Sequence, residues 1–277
     1  MSAGSLSHTS AIRVEGNVIT PVKEILAAEE PLEIRIIYGE PGERIQKSIS
    51  VTMRTPGNDD ELAAGFLFTE GLISSRQDIS EIYHEPGKNS NTINIALRAG
   101  LAPDIKKTER NFYTTSSCGV CGKASIEAVR TNCVFKPKAD FPKIQPEIIW
   151  QLPGKLRGEQ SVFDQTGGIH ACALFSITGE LLLLREDVGR HNALDKLIGA
   201  SLIHNKLPLD NHILLLSGRA SFELIQKAAM AGICFIAAVG APSSLAVEMA
   251  EEWELTLVGF LRGNKFNIYC GSERISL

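Results

Sequence analysis

The chain has 277 residues, 44% hydrophobic and 22% charged, an ordinary globular balance with enough length for one or two domains around a real core. Its net charge of −4 leaves no basic surplus for general nucleic-acid binding. No apolar run reaches the length of a membrane span, and residues 1–10 are polar and small, without the basic-then-apolar order of a signal peptide. These ten residues are expected to form a disordered leader, and the protein is expected in the cytoplasm, where its six cysteines are not a disulfide framework. Cys133, Cys172, Cys234 and Cys270 are scattered and read as small core hydrophobes.

In chain order, Leu32–Tyr38 and Lys47–Met53 alternate polar and apolar and are rich in Ile and Val, which predicts strands. Thr55-Pro56-Gly57 breaks the pattern, and Asn58 with Glu61 reads as a capping box opening a helix whose Leu62, Phe66, Leu67 and Leu72 face the core. Thr92–Arg98 is a further predicted strand, so residues 11–110 read as a small N-terminal α+β domain. Gly100 to Ser117 is charged and then polar, an exposed linker, and residues 111–125 are expected to be a mobile loop carrying Cys118-Gly119-Val120-Cys121-Gly122.

The remainder, 126–277, has an α/β rhythm. Lys123–Arg130 and Pro146–Glu159 are predicted helices, the second with Pro146 suited to its first position and Pro153 set against its middle. Predicted strands at His170–Ile177 and Leu181–Glu186 precede an amphipathic helix over Asn192–Asn205. The rest is read as strand His212–Ser217, helix Arg219–Ala231, strand Cys234–Val239, helix Ser243–Trp253 and strand Leu255–Leu261, with Phe266–Tyr269 pairing beside the last. Strands alternating with helices, with hairpins at both ends, predict a layered mixed sheet.

The Cys-X-X-Cys pair suits zinc binding, dithiol exchange or the carriage of sulfane sulfur, all of which need a thiolate. A helix following Cys121 and the Lys123 charge favour one. Structural zinc takes four ligands, and no second Cys-X-X-Cys or His pair signals the others. A thioredoxin-type motif follows a strand, whereas this pair follows a polar segment. Zinc deaminases carry His-X-Glu and Pro-Cys-X-X-Cys. Here His170-Ala171-Cys172 lacks the Glu, and no Pro precedes Cys118. Cys118, the N-terminal thiol, is assigned as nucleophile and Cys121 as its partner. In the second half, Thr166-Gly167-Gly168-Ile169-His170, Asp187-Val188-Gly189-Arg190-His191-Asn192, Ser217-Gly218-Arg219-Ala220-Ser221, Gly240-Ala241-Pro242-Ser243-Ser244 and Gly259 to Lys265 are small, polar strand-end loops. Such loops bind ligands in α/β sheets, and together they point to a large phosphate-bearing ligand. Walker and Gly-X-Gly-X-X-Gly fingerprints are absent, which argues against ATP and NAD.

These segments, with Glu186 to Lys196 and Thr256 to Phe260, resemble the formate dehydrogenase accessory sulfurtransferases, the FdhD family; weaker similarity from Glu61 to Gly71 extends the likeness over most of the chain. The resemblance implies a carrier that takes sulfur from a cysteine desulfurase. The carrier passes it to the molybdenum or tungsten bis-guanine-dinucleotide cofactor, bound as a substrate, before that cofactor enters formate dehydrogenase. It places the persulfide on Cys118 and a cofactor-binding stretch on Phe260, Leu261, Arg262, Gly263, Asn264 and Lys265. Family members often end this stretch in Pro-Gly-Arg, and lysine lacks arginine's bidentate phosphate contact. It also implies a homodimer and a cytidine-deaminase-like second domain, with no resident metal. Arg219, Arg262 and His191 are the candidates for phosphate or guanine contact, and the competing reading is a cofactor-binding chaperone without sulfur transfer.

Overall fold

A computed structural model describes residues 4–85, 91–105, 135 and 141–277. Its first element is a hairpin, β1 (Leu6–Glu15) paired antiparallel with β2 (Val18–Ala27). The turn has two residues, and the first, Gly16, has φ 60°, the glycine-first pattern of type II′ hairpins. The expected leader over residues 1–10 is therefore corrected, because residues 6–10 are strand. Most of β1 is exposed on both faces, so no aliphatic alternation marks Ser7 to Ser10 in the sequence.

The N-terminal α+β unit is a four-stranded sheet of β3 (Glu30–Tyr38), β4 (Ile45–Arg54), β5 (Ile79–His84) and β6 (Thr92–Leu97), in the order β4-β3-β6-β5. The two central strands, β3 and β6, run parallel, and the outer pairings are antiparallel. Leu32, Ile34 and Ile36 alternate along β3 and are fully buried, as the period of a half-buried strand requires. Helix α1 (Asp59–Thr69) begins where predicted, but without the capping box. Asn58 has φ 56° and its side chain makes no cap bond, while Glu61 is drawn to Arg185, whose Nη2 donates to Oε1 at 2.6 Å. Leu62, Leu67 and Leu72 enter the core as expected, and Phe66 is partly buried against it.

The second unit is a six-stranded sheet, ordered β12-β11-β10-β9-β7-β8. Its strands are β7 (His170–Ser176), β8 (Leu181–Asp187), β9 (His212–Leu216), β10 (Phe235–Ala238), β11 (Thr256–Arg262) and β12 (Lys265–Cys270). Strands β9, β10 and β11 are parallel, and the β7–β8 and β11–β12 hairpins make the sheet mixed, as predicted. Its helices are α2 (Pro146–Glu159), α3 (Ser161–Thr166), α4 (Arg190–Ile203), α5 (Phe222–Met230) and α6 (Ser244–Glu252). Among the described residues no helix is long and apolar enough to cross a membrane.

One expectation about α4 fails. Residues 192–202 are buried all round rather than amphipathic, because α4 lies between α1 and the sheet. The two helices cross with backbones touching at Gly65 and Gly199; a Cβ on Gly199 would lie 2.7 Å from the Gly65 nitrogen. Buried ion pairs fasten the units around this crossing. Lys227 Nζ lies 2.9 Å from Asp195 Oδ1 and donates to Thr69 Oγ1 at 2.8 Å. Lys196 Nζ lies 2.7 Å from Asp187 Oδ2 and donates to the Thr55 carbonyl at 2.8 Å. Both units contribute to one buried apolar cluster, running from Leu32 to Ile275.

Candidate functional site

The parallel strands bring their carboxyl ends to one edge, where open α/β sheets bind ligands. The loops there are stitched by backbone bonds. Gly240 N donates to Gly218 O at 2.9 Å, Ala220 N to Ala241 O at 3.1 Å, and Phe260 N to Gly240 O at 3.0 Å. Gly240 must be glycine for this approach, since a Cβ would meet Gly218 O at 2.9 Å and Arg219 N at 3.0 Å. Helix α5 starts at Phe222, not at Arg219 as predicted, so Arg219 stands exposed in the loop after β9.

Because β7 is antiparallel to β9, its amino end reaches the same edge. Ala171 N donates to Ser217 Oγ at 2.8 Å, and this exchange seats His170 against Gly218, where a Cβ would lie 3.3 Å from the His170 Nδ1. Arg190 and His191 form the first turn of α4 beside them. Burial, together with the neighbouring Arg190, His191 and Arg219 and against the opposing pull of Asp187, holds the His170 imidazole below the ordinary histidine value. His191 leans on Ser221 Oγ at 3.5 Å and Glu223 Oε2 at 3.8 Å. Among the described residues neither Arg190 nor Arg219 has a carboxylate partner, and Arg190 Nε is buried without a hydrogen bond. Two arginines without a carboxylate partner are arranged for an anion.

His170 and Ser217 also form the polar end of a cleft of about 790 Å³ under α2 and α3, within the range of small-molecule sites. Leu156, Phe163, Ile169, Val188 and Val239 give it apolar walls. At its rim the Arg157 guanidinium lies 4.2 Å over the Phe163 ring and pairs with Asp164 at 3.0 Å. The apolar walls suit a planar ring, and His170 links the cleft's polar end to Arg190, His191 and Arg219 outside it.

The structure thus brings the predicted His191 and Arg219 together with His170 and Arg190, which the sequence placed in the same class of polar strand-end loops without singling them out as contacts. Adjacency was the available signal: Arg190 precedes His191, and His170 follows Gly167-Gly168. The Asp187 to Asn192 block, read as a pocket wall, divides in two. Asp187 is fully buried and accepts from Gly189 N at 2.8 Å, Asn192 Nδ2 at 3.1 Å and Thr55 N at 3.1 Å, so it holds the joint instead of facing a ligand. The stretch from Phe260 to Lys265 does not line the cleft. Phe260 is 42% exposed with φ 53°, and the Leu261 side chain is in the core. Arg262, Gly263, Asn264 and Lys265 form the exposed β11–β12 turn.

Cys118, Cys121, Cys133 and the predicted helix at 123–130 lie outside the described residues. Cys172 and Cys234 are buried core residues, as expected, and burial pushes the Cys172 thiol up. Half-buried Cys270 is pushed up to about 11, mainly by burial. Among the described residues no group of three or more His, Cys, Asp or Glu side chains is placed to hold a metal ion.

Comparison with known proteins agrees with this architecture. A protein from Streptomyces coelicolor named sulfur carrier protein FdhD is 51% identical over 275 residues, covering 96% of this chain and 94% of its own. Another of that name, from Mycolicibacterium paratuberculosis, is 53% identical over 258 residues, with 91% and 92% covered. A crystal structure from Desulfotalea psychrophila, described as a formate dehydrogenase accessory protein, shares the fold with a TM-score of 0.73. The match is at 23% identity and covers 98% of this chain and 99% of that one. The family model described as FdhD/NarQ matches residues 27–276, and with relatives of such identity over nearly the whole length, this chain belongs to the FdhD/NarQ family.

Proposed function

We propose that this protein is a sulfur carrier acting from a cysteine desulfurase to the molybdenum or tungsten bis-guanine-dinucleotide cofactor, in the maturation of formate dehydrogenase. The names of its relatives support sulfur carriage. The observation that carries the ligand assignment is the group of His170, Arg190, His191 and Arg219, of which His170 lines the cleft and neither arginine has a carboxylate partner among the described residues. The guanine enters the apolar end, and its phosphates lie on the cations. In the sulfur step, the Cys118 thiolate attacks the outer sulfur of the desulfurase persulfide, whose own cysteine leaves as thiolate. Cys118 then carries the S–SH group. Attack of the Cys121 thiolate on the Cys118 sulfur forms their disulfide and releases hydrosulfide to the metal, and a cellular dithiol restores the pair.

Intact-protein mass after incubation with a cysteine desulfurase and cysteine tests the carrier step. Wild type should gain the mass of one sulfur, lost on reduction, and Cys118→Ala should gain none. Guanosine diphosphate binding tests the pocket, with Arg190→Ala and Arg219→Ala each expected to weaken it by about tenfold or more, the loss of one charge-assisted hydrogen bond. Nucleotide binding without any mass gain would favour a cofactor-binding chaperone.

A further inference from the structure

Helix α3 forms one wall of the cleft and is weakly held there. It has six residues, too few for a stable helix on its own, and Val162 is its one buried side chain. Both flanking residues leave helical geometry: Gln160 has ψ 73° and Gly167 has φ 65°. Cavities adjoin it as well. Phe163 lines the cleft of about 790 Å³, while Ser161 and Val162 line a second, polar cavity of about 250 Å³ that Glu186 and Thr55 share. Ile169, just past the two glycines that follow α3, borders both. An element that adjoins two cavities has fewer packed neighbours to fix it.

Polar ties seat α3. Glu186, near the end of β8, accepts from Val162 N at 3.2 Å through one carboxylate oxygen and from Phe163 N at 3.1 Å through the other. These are first-turn amides, which find no partner inside a helix. Asp164 pairs with Arg157 of α2 at 3.0 Å, with both side chains more than half exposed. Strand β2 packs against α3 without lining the cleft. Glu186 does not line the cleft either, so it acts on the cleft through α3.

We infer that α3 is a hinged lid on the cleft, latched by Glu186, and that a guanine nucleotide enters and leaves when the lid swings between Gln160 and Gly167-Gly168. This rests on the assignment of the cleft to a nucleotide and adds the step that sets the exchange rate. Hinges are residues at element ends that absorb a change of φ and ψ, and both ends of α3 already stand outside the helix. Opening strands no buried polar group. Water entering the second cavity satisfies the freed carboxylate and the two amides, so the latch exchanges protein bonds for water bonds at small net cost. Glu186 is thus a positioning residue, and its loss should change rates rather than remove a ligand contact.

Stopped-flow binding of fluorescently labelled guanosine diphosphate, chased with unlabelled nucleotide, gives both rates. Glu186→Gln keeps one acceptor and loses the other together with the charge. It should raise association and dissociation together, each by at least about fivefold, the effect of one lost hydrogen bond. If that variant does not fold, Asp164→Asn, an exposed change, should raise both by about two- to threefold. A rise in dissociation alone would mean a lost contact, and unchanged rates a fixed wall; any pattern in which the two rates do not rise together overturns the inference. Hydrogen exchange of the free protein reads the lid without nucleotide. The Val162 and Phe163 amides should exchange faster than that of Leu156 in α2, and faster again in Glu186→Gln. Amides of α3 protected as strongly as those of α2 would overturn the lid. A wild type that binds no guanosine diphosphate would instead overturn the nucleotide assignment, and the exchange pattern alone would then decide the lid.

Discussion

At the residue scale the site depends on His170. Burial and the neighbouring Arg190, His191 and Arg219 hold its pKa below the ordinary value, so it is neutral near pH 7. Its contribution to stability is present above the unfolded histidine value of about 6.5 and is lost as pH falls through that value toward the folded one. A bound phosphate reverses the balance by supplying negative charge, which raises the pKa and draws in a proton. Guanosine diphosphate affinity should therefore rise as pH falls from about 7.5 to about 6, and calorimetry in buffers of different ionisation heat should register proton uptake. His170→Asn should flatten that dependence, and an equally steep profile in the variant would assign the proton elsewhere.

At the element scale the α1–α4 crossing shows how a weak local signal becomes a strong constraint. Gly65 and Gly199 lie inside helices, where glycine disfavours the local structure by roughly 0.5–1 kcal/mol relative to alanine. Taken helix by helix, both are faults. Across the contact they let two backbones meet, and a Cβ on Gly65 would lie 2.8 Å from the Gly199 nitrogen. Gly199→Ala should therefore destabilise by about 3 kcal/mol or more, the upper part of the overpacking range, because backbone rather than a yielding side chain is in the way. Urea unfolding would measure it, and a variant within about 0.5 kcal/mol of wild type would show that the helices can separate without loss. Helix α2 illustrates the converse. Pro153 sits inside it, yet Ile149, Leu152 and Leu156 bury one face and hold the helix through the missing bond.

At the scale of the whole molecule, the two units are held by charge as well as by apolar contact. Burial works against the Lys227 ammonium, but Asp195 and Glu70 hold its pKa above the ordinary lysine value. Lys227→Met would leave Asp195 buried with Thr69 as its remaining donor, and should cost about 3–5 kcal/mol. The double variant Asp195→Leu/Lys227→Met should recover much of that loss. Thermal melts of the three proteins decide it; a double variant no better than the single one would mean that packing, not the stranded charge, sets the cost.

The sequence by itself determined the order and type of most elements, because strand and helix periods and the Pro and Gly punctuation are local properties. The strands from His170 to Cys270 and the helix at Pro146–Glu159 were legible for that reason. Similarity of motifs likewise pointed to the family before any fold was known. The first hairpin was not legible, since a strand exposed on both faces carries no burial pattern. Nor was the division of Asp187 to Asn192 between joint and site. Asp187 and Asn192 find their partners at Thr55 and Met53, more than a hundred residues away. Charge in a loop is visible in a sequence, but whether it meets a counter-charge depends on what distant chain the fold brings beside it. Only the tertiary structure decided that Asp187 is a buried fastening and that Arg190 and Arg219 have no carboxylate partner among the described residues.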